Sequence, residues 1–175
     1  MASFELVKRS SQAVRRSDLA LAGGGVIANQ LVVSILVVDD FDEWRQFIRA
    51  KLRGTPNWRV IGEASNGLQA VIQAEELQPD LILLDISMPE LDGIAAAQRI
   101  ARTVPGARIL FFSQNQDPGV ARAALLMGGH GYVIKSQAAR DLIPAMEAVM
   151  LGKRFVSPRL KGIVLADDAG SKSEI

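Results

Sequence analysis

Three carboxylates, one hydroxyl and one ammonium stand at the ends of short apolar runs, and together they could carry phosphoryl chemistry. Asp39 and Asp40 end Ser34-Ile35-Leu36-Val37-Val38, and Asp85 ends Leu81-Ile82-Leu83-Leu84. Ser113 closes Arg108-Ile109-Leu110-Phe111-Phe112, and Lys135 closes Gly131-Tyr132-Val133-Ile134. Carboxylates gathered at one point repel one another, which raises at least one pKa unless a cation neutralises them. The chain has no Cys, and its single His, His130, lies outside the set, so every protein ligand would be an oxygen. Hard oxygen ligands with room for water favour Mg2+, or Mn2+. In that setting Asp85 reads as a nucleophile forming an acyl phosphate. Asp40 and Asp85 would hold the metal, with Asp39 acting through water. Lys135 and Ser113 would meet the phosphoryl oxygens as a second cation and a hydroxyl donor.

Such a set works only if the fold gathers it. Apolar runs this short, bounded by turn residues, read as strands buried on both faces. Each then delivers its polar residue at a C-terminal end, where an open parallel sheet opens its ligand crevice. Trp58 to Glu63 reads as a further strand, on an edge. Between the strands, Phe41, Trp44, Phe47, Ile48 and Leu52 mark a helix over 41–52, and the period continues in 68–77 and 94–104. Asp117 as N-cap and Pro118 at the first helical position open a helix to about Met127. The last helix spans 138–151, where Pro144 should cost a hydrogen bond and bend it, unless the helix starts later. Five strands alternating with five helices predict a doubly wound parallel sheet with helices on both faces.

With the elements in place, a resemblance becomes legible. Asp39-Asp40, Asp85 followed by Met88-Pro89 and Asp92-Gly93, Ser113, and Tyr132-Val133-Ile134-Lys135 resemble the receiver domains of two-component response regulators. The similarity covers residues 34–152. It implies a CheY-like, flavodoxin-like five-stranded sheet in the order 2-1-3-4-5, a phosphorelay role, and Mg2+ as cofactor. By position it implies Asp85 as phosphoacceptor, Asp39 and Asp40 as the acid pair, and the backbone carbonyl of Ser87 as a further metal ligand. Ser113 would be the switch hydroxyl, Tyr132 the switch aromatic that turns inward on phosphorylation, and Lys135 the conserved-type lysine. The phosphoryl donor would be a sensor histidine kinase or a phosphotransfer protein. The segment Gly128 to Pro158 is similar to receivers that precede a LuxR-type helix-turn-helix, yet only 17 residues follow Pro158. The expectation is therefore a stand-alone, cytoplasmic regulator acting on a downstream protein, with no direct nucleic-acid contact, and a homodimer left open.

Other readings remain beside this one. A transcription regulator whose DNA-binding part is absent from this chain, or a receiver that binds partners without phosphorylation, would share most of these residues. A Mg2+-dependent phosphohydrolase usually carries a second acid two residues past the nucleophile, where this chain has Ser87, so no enzymatic turnover is expected. Tyr132 on a strand could be plain core. Trp44 is expected to pack on its helix face instead of covering the metal site. His130 reads as a loop residue, Asp92 as a turn or cap, and Gln114 and Asn115 as gates on water.

Composition sets the outer bounds. At 175 residues with 49% hydrophobic and 22% charged content, the chain suits one soluble domain. Its net charge of +1 gives no pull toward nucleic acid or an acidic membrane surface. No apolar run is long enough to span a bilayer. Residues 1–33 hold Arg15-Arg16 ahead of a mildly apolar stretch, the outline of an export signal, but Asp18 and Gly23-Gly24-Gly25 break it. A flexible extension is expected there, and a linker remnant with a disordered polar tail over 153–175.

Overall fold

The computed structural model describes residues 32–160. The bulk of the expected N-terminal extension, and the tail beyond 160, lie outside the described residues. The described chain runs β1 (Val33–Val38), α1 (Asp42–Leu52), β2 (Trp58–Ala64), α2 (Gly67–Leu77), β3 (Leu81–Leu84) and α3 (Gly93–Thr103). It continues with β4 (Arg108–Ser113), α4 (Pro118–Leu126), β5 (Gly131–Ile134), α5 (Ala138–Met150) and β6 (Phe155–Val156). A single 3-10 turn, Lys135–Gln137, joins β5 to α5.

Capping side chains fix where several helices begin. Asn66 accepts from the Gln69 N–H, Asp92 from Ala95, and Asp117 from Gly119 and Val120 with Pro118 next in line. The expected cap roles of Asp92 and Asp117 are thus present. Pro144 sits inside α5, which continues without a later start. It lies on the exposed face, where the carbonyl it leaves unbonded can meet water.

All strand pairs are parallel, in the order β2-β1-β3-β4-β5-β6. The five-strand order expected from sequence is present, with β2 on its edge, and a sixth strand extends it. Phe155 and Val156 pair with Gly131 and Tyr132, so the sheet continues past residue 152, where the sequence suggested a linker. Without β6, β5 would end the sheet with unpaired backbone groups, and Val156 carries an apolar side chain into the core.

Period-two alternation divides the core between the two faces. Leu36, Val38, Ile82, Leu84, Ile109 and Phe111 pack with α2, α3 and α4 residues such as Ala70, Ile100 and Ala124. Ile35, Val37, Leu81, Leu83, Leu110 and Phe112 pack with α1 and α5 through Ile48, Leu142, Met146 and Val149. The chain reverses its direction of strand addition between β1 and β3, and a crevice opens there at the C-terminal strand ends. Register places Val38 level with Leu84, and Leu84 level with Phe111. The next residues, Asp39 and Asp85, therefore emerge side by side.

Candidate functional site

The acid pair is set by the end of β1 and the start of α1. Asp39 donates its N–H to the Ala64 carbonyl at 3.1 Å, and its own carbonyl accepts from Arg45 Nη1 at 2.6 Å. The same guanidinium reaches Asp42 at 2.8 Å and Glu63 at 3.2 Å, so α1 and β2 together hold the peptide between Asp39 and Asp40. Sequence reasoning did not single out Arg45; its only signal was an i,i+3 pairing with Asp42.

Asp85 follows β3 directly and donates its N–H to the Val38 carbonyl at 2.9 Å. The loop after it folds back closely. A Cβ on Gly93 would lie 1.9 Å from the Asp85 carbonyl oxygen, so only glycine fits there. Gly93 also donates to the Ile86 carbonyl at 2.9 Å. Glu90 in this loop takes a φ of 67°, a left-handed conformation uncommon outside glycine. Ser87 stands exposed in the same turn.

Lys135 brings the carboxylates together. Its Nζ lies 2.6 Å from Asp39 Oδ2 and 2.8 Å from Asp85 Oδ2, and all three side chains are buried. The Ile86 N–H donates to Asp85 Oδ1 at 2.7 Å, so both oxygens of that carboxylate are engaged. Asp39, Asp40 and Asp85 each offer an oxygen within 4.8 Å of the others. Burial, against the pull of Lys135, pushes the Asp39 carboxyl up to about 6, and the nearby Asp85 charge adds to the rise. Asp40 Oδ1 is buried with no hydrogen-bond partner. An orphaned carboxylate oxygen beside two more acids is an unfinished arrangement, and an all-oxygen donor set of this kind fits Mg2+. Formal charge agrees: three carboxylates and one ammonium sum to −2.

Ser113 ends β4 at this edge, fully buried, and its Oγ accepts from the Asn115 N–H at 3.2 Å. Tyr132 has no exposed surface and donates its hydroxyl to the Asn115 carbonyl at 2.8 Å. Burial pushes its phenol up to about 12, with the Ser113 hydroxyl opposing. Tyr132 thus lies inward in this structure. Asn115 is its acceptor, a tie that the sequence reading did not assign to that residue.

Trp44 does more than the helix-face packing expected of it. It meets Phe47 and Phe112 edge-on at 5.7 and 5.5 Å between ring centroids. Lys135 Nζ also lies over its ring, 5.3 Å from the centroid, and 5.6 Å from that of Phe112. The signal available in sequence was adjacency, since Trp44 follows the acid pair by one helical turn and Phe112 immediately precedes Ser113. His130, read as a loop residue, lies in the turn before β5, where its Nδ1 accepts from the Ile109 N–H at 3.1 Å. Burial first, then Arg108 and Arg154, lower its pKa, consistent with a neutral acceptor.

Among the described residues, no helix is long and apolar enough to cross a membrane. Comparison with known proteins places the chain. Residues 35–147 match the response regulator receiver domain family. The nitrate/nitrite response regulator NarL of Escherichia coli K12 is 33% identical over 140 residues, covering 80% of this chain and 65% of NarL. The chain thus spans about two thirds of that relative. A LuxR-family two-component response regulator from Aurantimonas superposes with a TM-score of 0.74 at 30% identity, over 79% of this chain and 99% of that one. The isolated receiver of Salmonella enterica RcsB, solved with the phosphomimetic BeF3−, gives 0.70 at 26% identity, over 75% and 97%. RcsB has also been solved as dimers bound to DNA, with a TM-score of 0.70 at 26% identity over 77% of this chain and 68% of that one. The buried acid cluster, the parallel sheet and these similarities lead to one conclusion: the chain belongs to the response regulator receiver domain family.

Proposed function

We propose that this receiver accepts a phosphoryl group on Asp85 from a phosphohistidine of a sensor kinase or phosphotransfer protein, in the cytoplasm and with Mg2+. The observation that carries the reading is the buried cluster in which Lys135 bridges Asp39 and Asp85 while Asp40 keeps an orphaned oxygen. A charge of −2 on the protein groups matches one divalent cation, which Asp40, Asp85 and the Ser87 carbonyl would hold directly and Asp39 would hold through water. When bound, that ion supplies charge neutralisation to the phosphoryl oxygens.

The chain's own residues account for the remainder. An Asp85 carboxylate oxygen attacks phosphorus, the bond from phosphorus to the imidazole nitrogen breaks, and its electron pair stays on the imidazole. The Ile86 N–H and the Lys135 ammonium hold the two Asp85 oxygens in place, which orients the attack. Lys135 and Ser113 then face the phosphoryl oxygens. Hydrolysis returns Asp85 to its carboxylate, so the chain changes state without turning over an external substrate. Engagement of Ser113 would shift the 113–115 segment, to which Tyr132 is tied through Asn115, and so bias the surface of α4, β5 and α5. The test is incubation with acetyl phosphate and Mg2+ followed by intact mass. A phosphate-sized adduct is expected on the wild type and none on Asp85→Asn; an adduct on both, or on neither, contradicts the assignment.

Two settings suit the same switch. The first is direct action on a downstream protein, as the sequence suggested. The second is a place ahead of a DNA-binding segment, favoured by the partial coverage of NarL and by the RcsB dimers on DNA. The mass of the native protein in its source cells distinguishes them, because a chain markedly larger than 18.9 kDa supports the second.

A further inference from the structure

The Lys135 ammonium has an unusual set of neighbours. It is only 3% exposed, it contacts two carboxylate oxygens, and it faces two aromatic rings contributed by α1 and β4. We propose that Trp44, together with Phe112, is a positioning residue for Lys135: the two rings keep the ammonium beside Asp85 when Asp39 and Asp40 turn to a divalent cation. This inference rests on the metal-binding part of the reading above.

The reasoning starts from desolvation. A buried ammonium requires compensation for the water it has lost, and here Asp39 Oδ2, at 2.6 Å, provides part of it. Mg2+ and Lys135 compete for the same carboxylates and repel each other. As Asp39 becomes engaged with the metal, the ammonium keeps only Asp85 and the ring faces. A ring face attracts a cation through its quadrupole, yet it is a poor ligand for a hard ion such as Mg2+. It therefore steadies the ammonium without opposing the metal. Trp44 and Phe112 can do this because both pack on the α1 and α5 side of the sheet, held edge-on to each other at 5.5 Å. Losing the Trp44 face should make it costlier for Asp39 to release the lysine, and so weaken Mg2+ binding.

The test is a double-mutant cycle on the full chain, with the Mg2+ dissociation constant read by titration calorimetry. Trp44→Leu should raise that constant by about 3- to 30-fold. Trp44→Phe keeps a ring and should stay within about threefold of wild type. In a Lys135→Met background, adding Trp44→Leu should change the constant less than about twofold, since no ammonium is left to steady. If Trp44→Leu fails to fold, Trp44→Met takes its place in the cycle. An unchanged constant in the Lys135 protein overturns the proposal, and so does equal weakening with and without Lys135, which would make Trp44 a packing residue alone. A wild type that binds no Mg2+ overturns it as well. A wild type that binds Mg2+ but takes no phosphoryl from acetyl phosphate defeats the phosphoacceptor reading and leaves this cycle to stand or fall by itself.

Discussion

Asp39 shows how one residue links the electrostatics of the site to the stability of the fold. Burial sets its carboxyl near 6, against 3.8 for the free side chain, even though Lys135 lies 2.6 Å away. The folded protein therefore holds a proton that the unfolded chain has already released between these two values. Stability attributable to this group is fully present below about pH 4 and is lost as pH rises through about 6. In metal-free protein the loss should be on the order of 2–3 kcal/mol between pH 4 and 7. Asp39→Asn, which cannot ionise, should flatten that part of the profile in urea melts taken across the range. An equally steep fall in the variant would assign the slope to another group. Arg45 belongs to the same scale: by holding the Asp39 carbonyl at 2.6 Å it sets the direction in which the acid pair leaves β1.

At the scale of elements, β6 shows what the sequence could and could not convey. β1, β3, β4 and β5 were legible because each is a short run, mostly apolar, closed by a polar residue. The structure brings Asp39, Asp85, Ser113 and Lys135 to the C-terminal ends of those four strands. Phe155-Val156 is too short to show a period, and what makes it a strand is non-local. Ser157 donates its N–H to the Tyr132 carbonyl at 2.9 Å, its Oγ accepts from the Ile134 N–H at 3.1 Å, and that Oγ donates to Asp141 at 2.8 Å. The cation over Trp44 was hidden for the same reason, since it needs α1, β4 and β5 to be assembled first. Asp141 depends on the seam: burial would raise its pKa, but Arg140 and Ser157 outweigh burial and hold the carboxyl below 3.8. Its contribution is thus present at neutral pH and lost in acid, as pH falls through the lowered value. Ser157→Ala should leave both the Ile134 N–H and the Asp141 carboxylate short of a partner. The expected cost is about 1–3 kcal/mol, seen as a lower urea midpoint at unchanged slope. A change below about 0.5 kcal/mol would mean that water replaces the hydroxyl at both groups.

For the whole molecule, the doubly wound topology and the acid cluster are one design seen at two distances. The reversal of strand order between β1 and β3 is what brings Asp39, Asp40 and Asp85 to one edge, and the fold holds them there with a charge of −2 and only Lys135 between them. If that cluster takes a divalent cation as proposed, only the folded chain offers the site, and the cation should stabilise the fold by linkage. At free Mg2+ one hundred times its dissociation constant, the gain is about 2.7 kcal/mol. For a domain of this size that raises the thermal midpoint by roughly 10 °C at pH 7.5, reversed by EDTA. The shift should shrink at pH 5, where Asp39 holds its proton and the cluster carries one charge fewer. Asp40→Ala should abolish it at both pH values, because the orphaned Oδ1 that would meet the cation is then gone. A shift that survives Asp40→Ala, or that is no smaller at pH 5, would place the cation elsewhere on the molecule and separate the topology from the chemistry assigned to it.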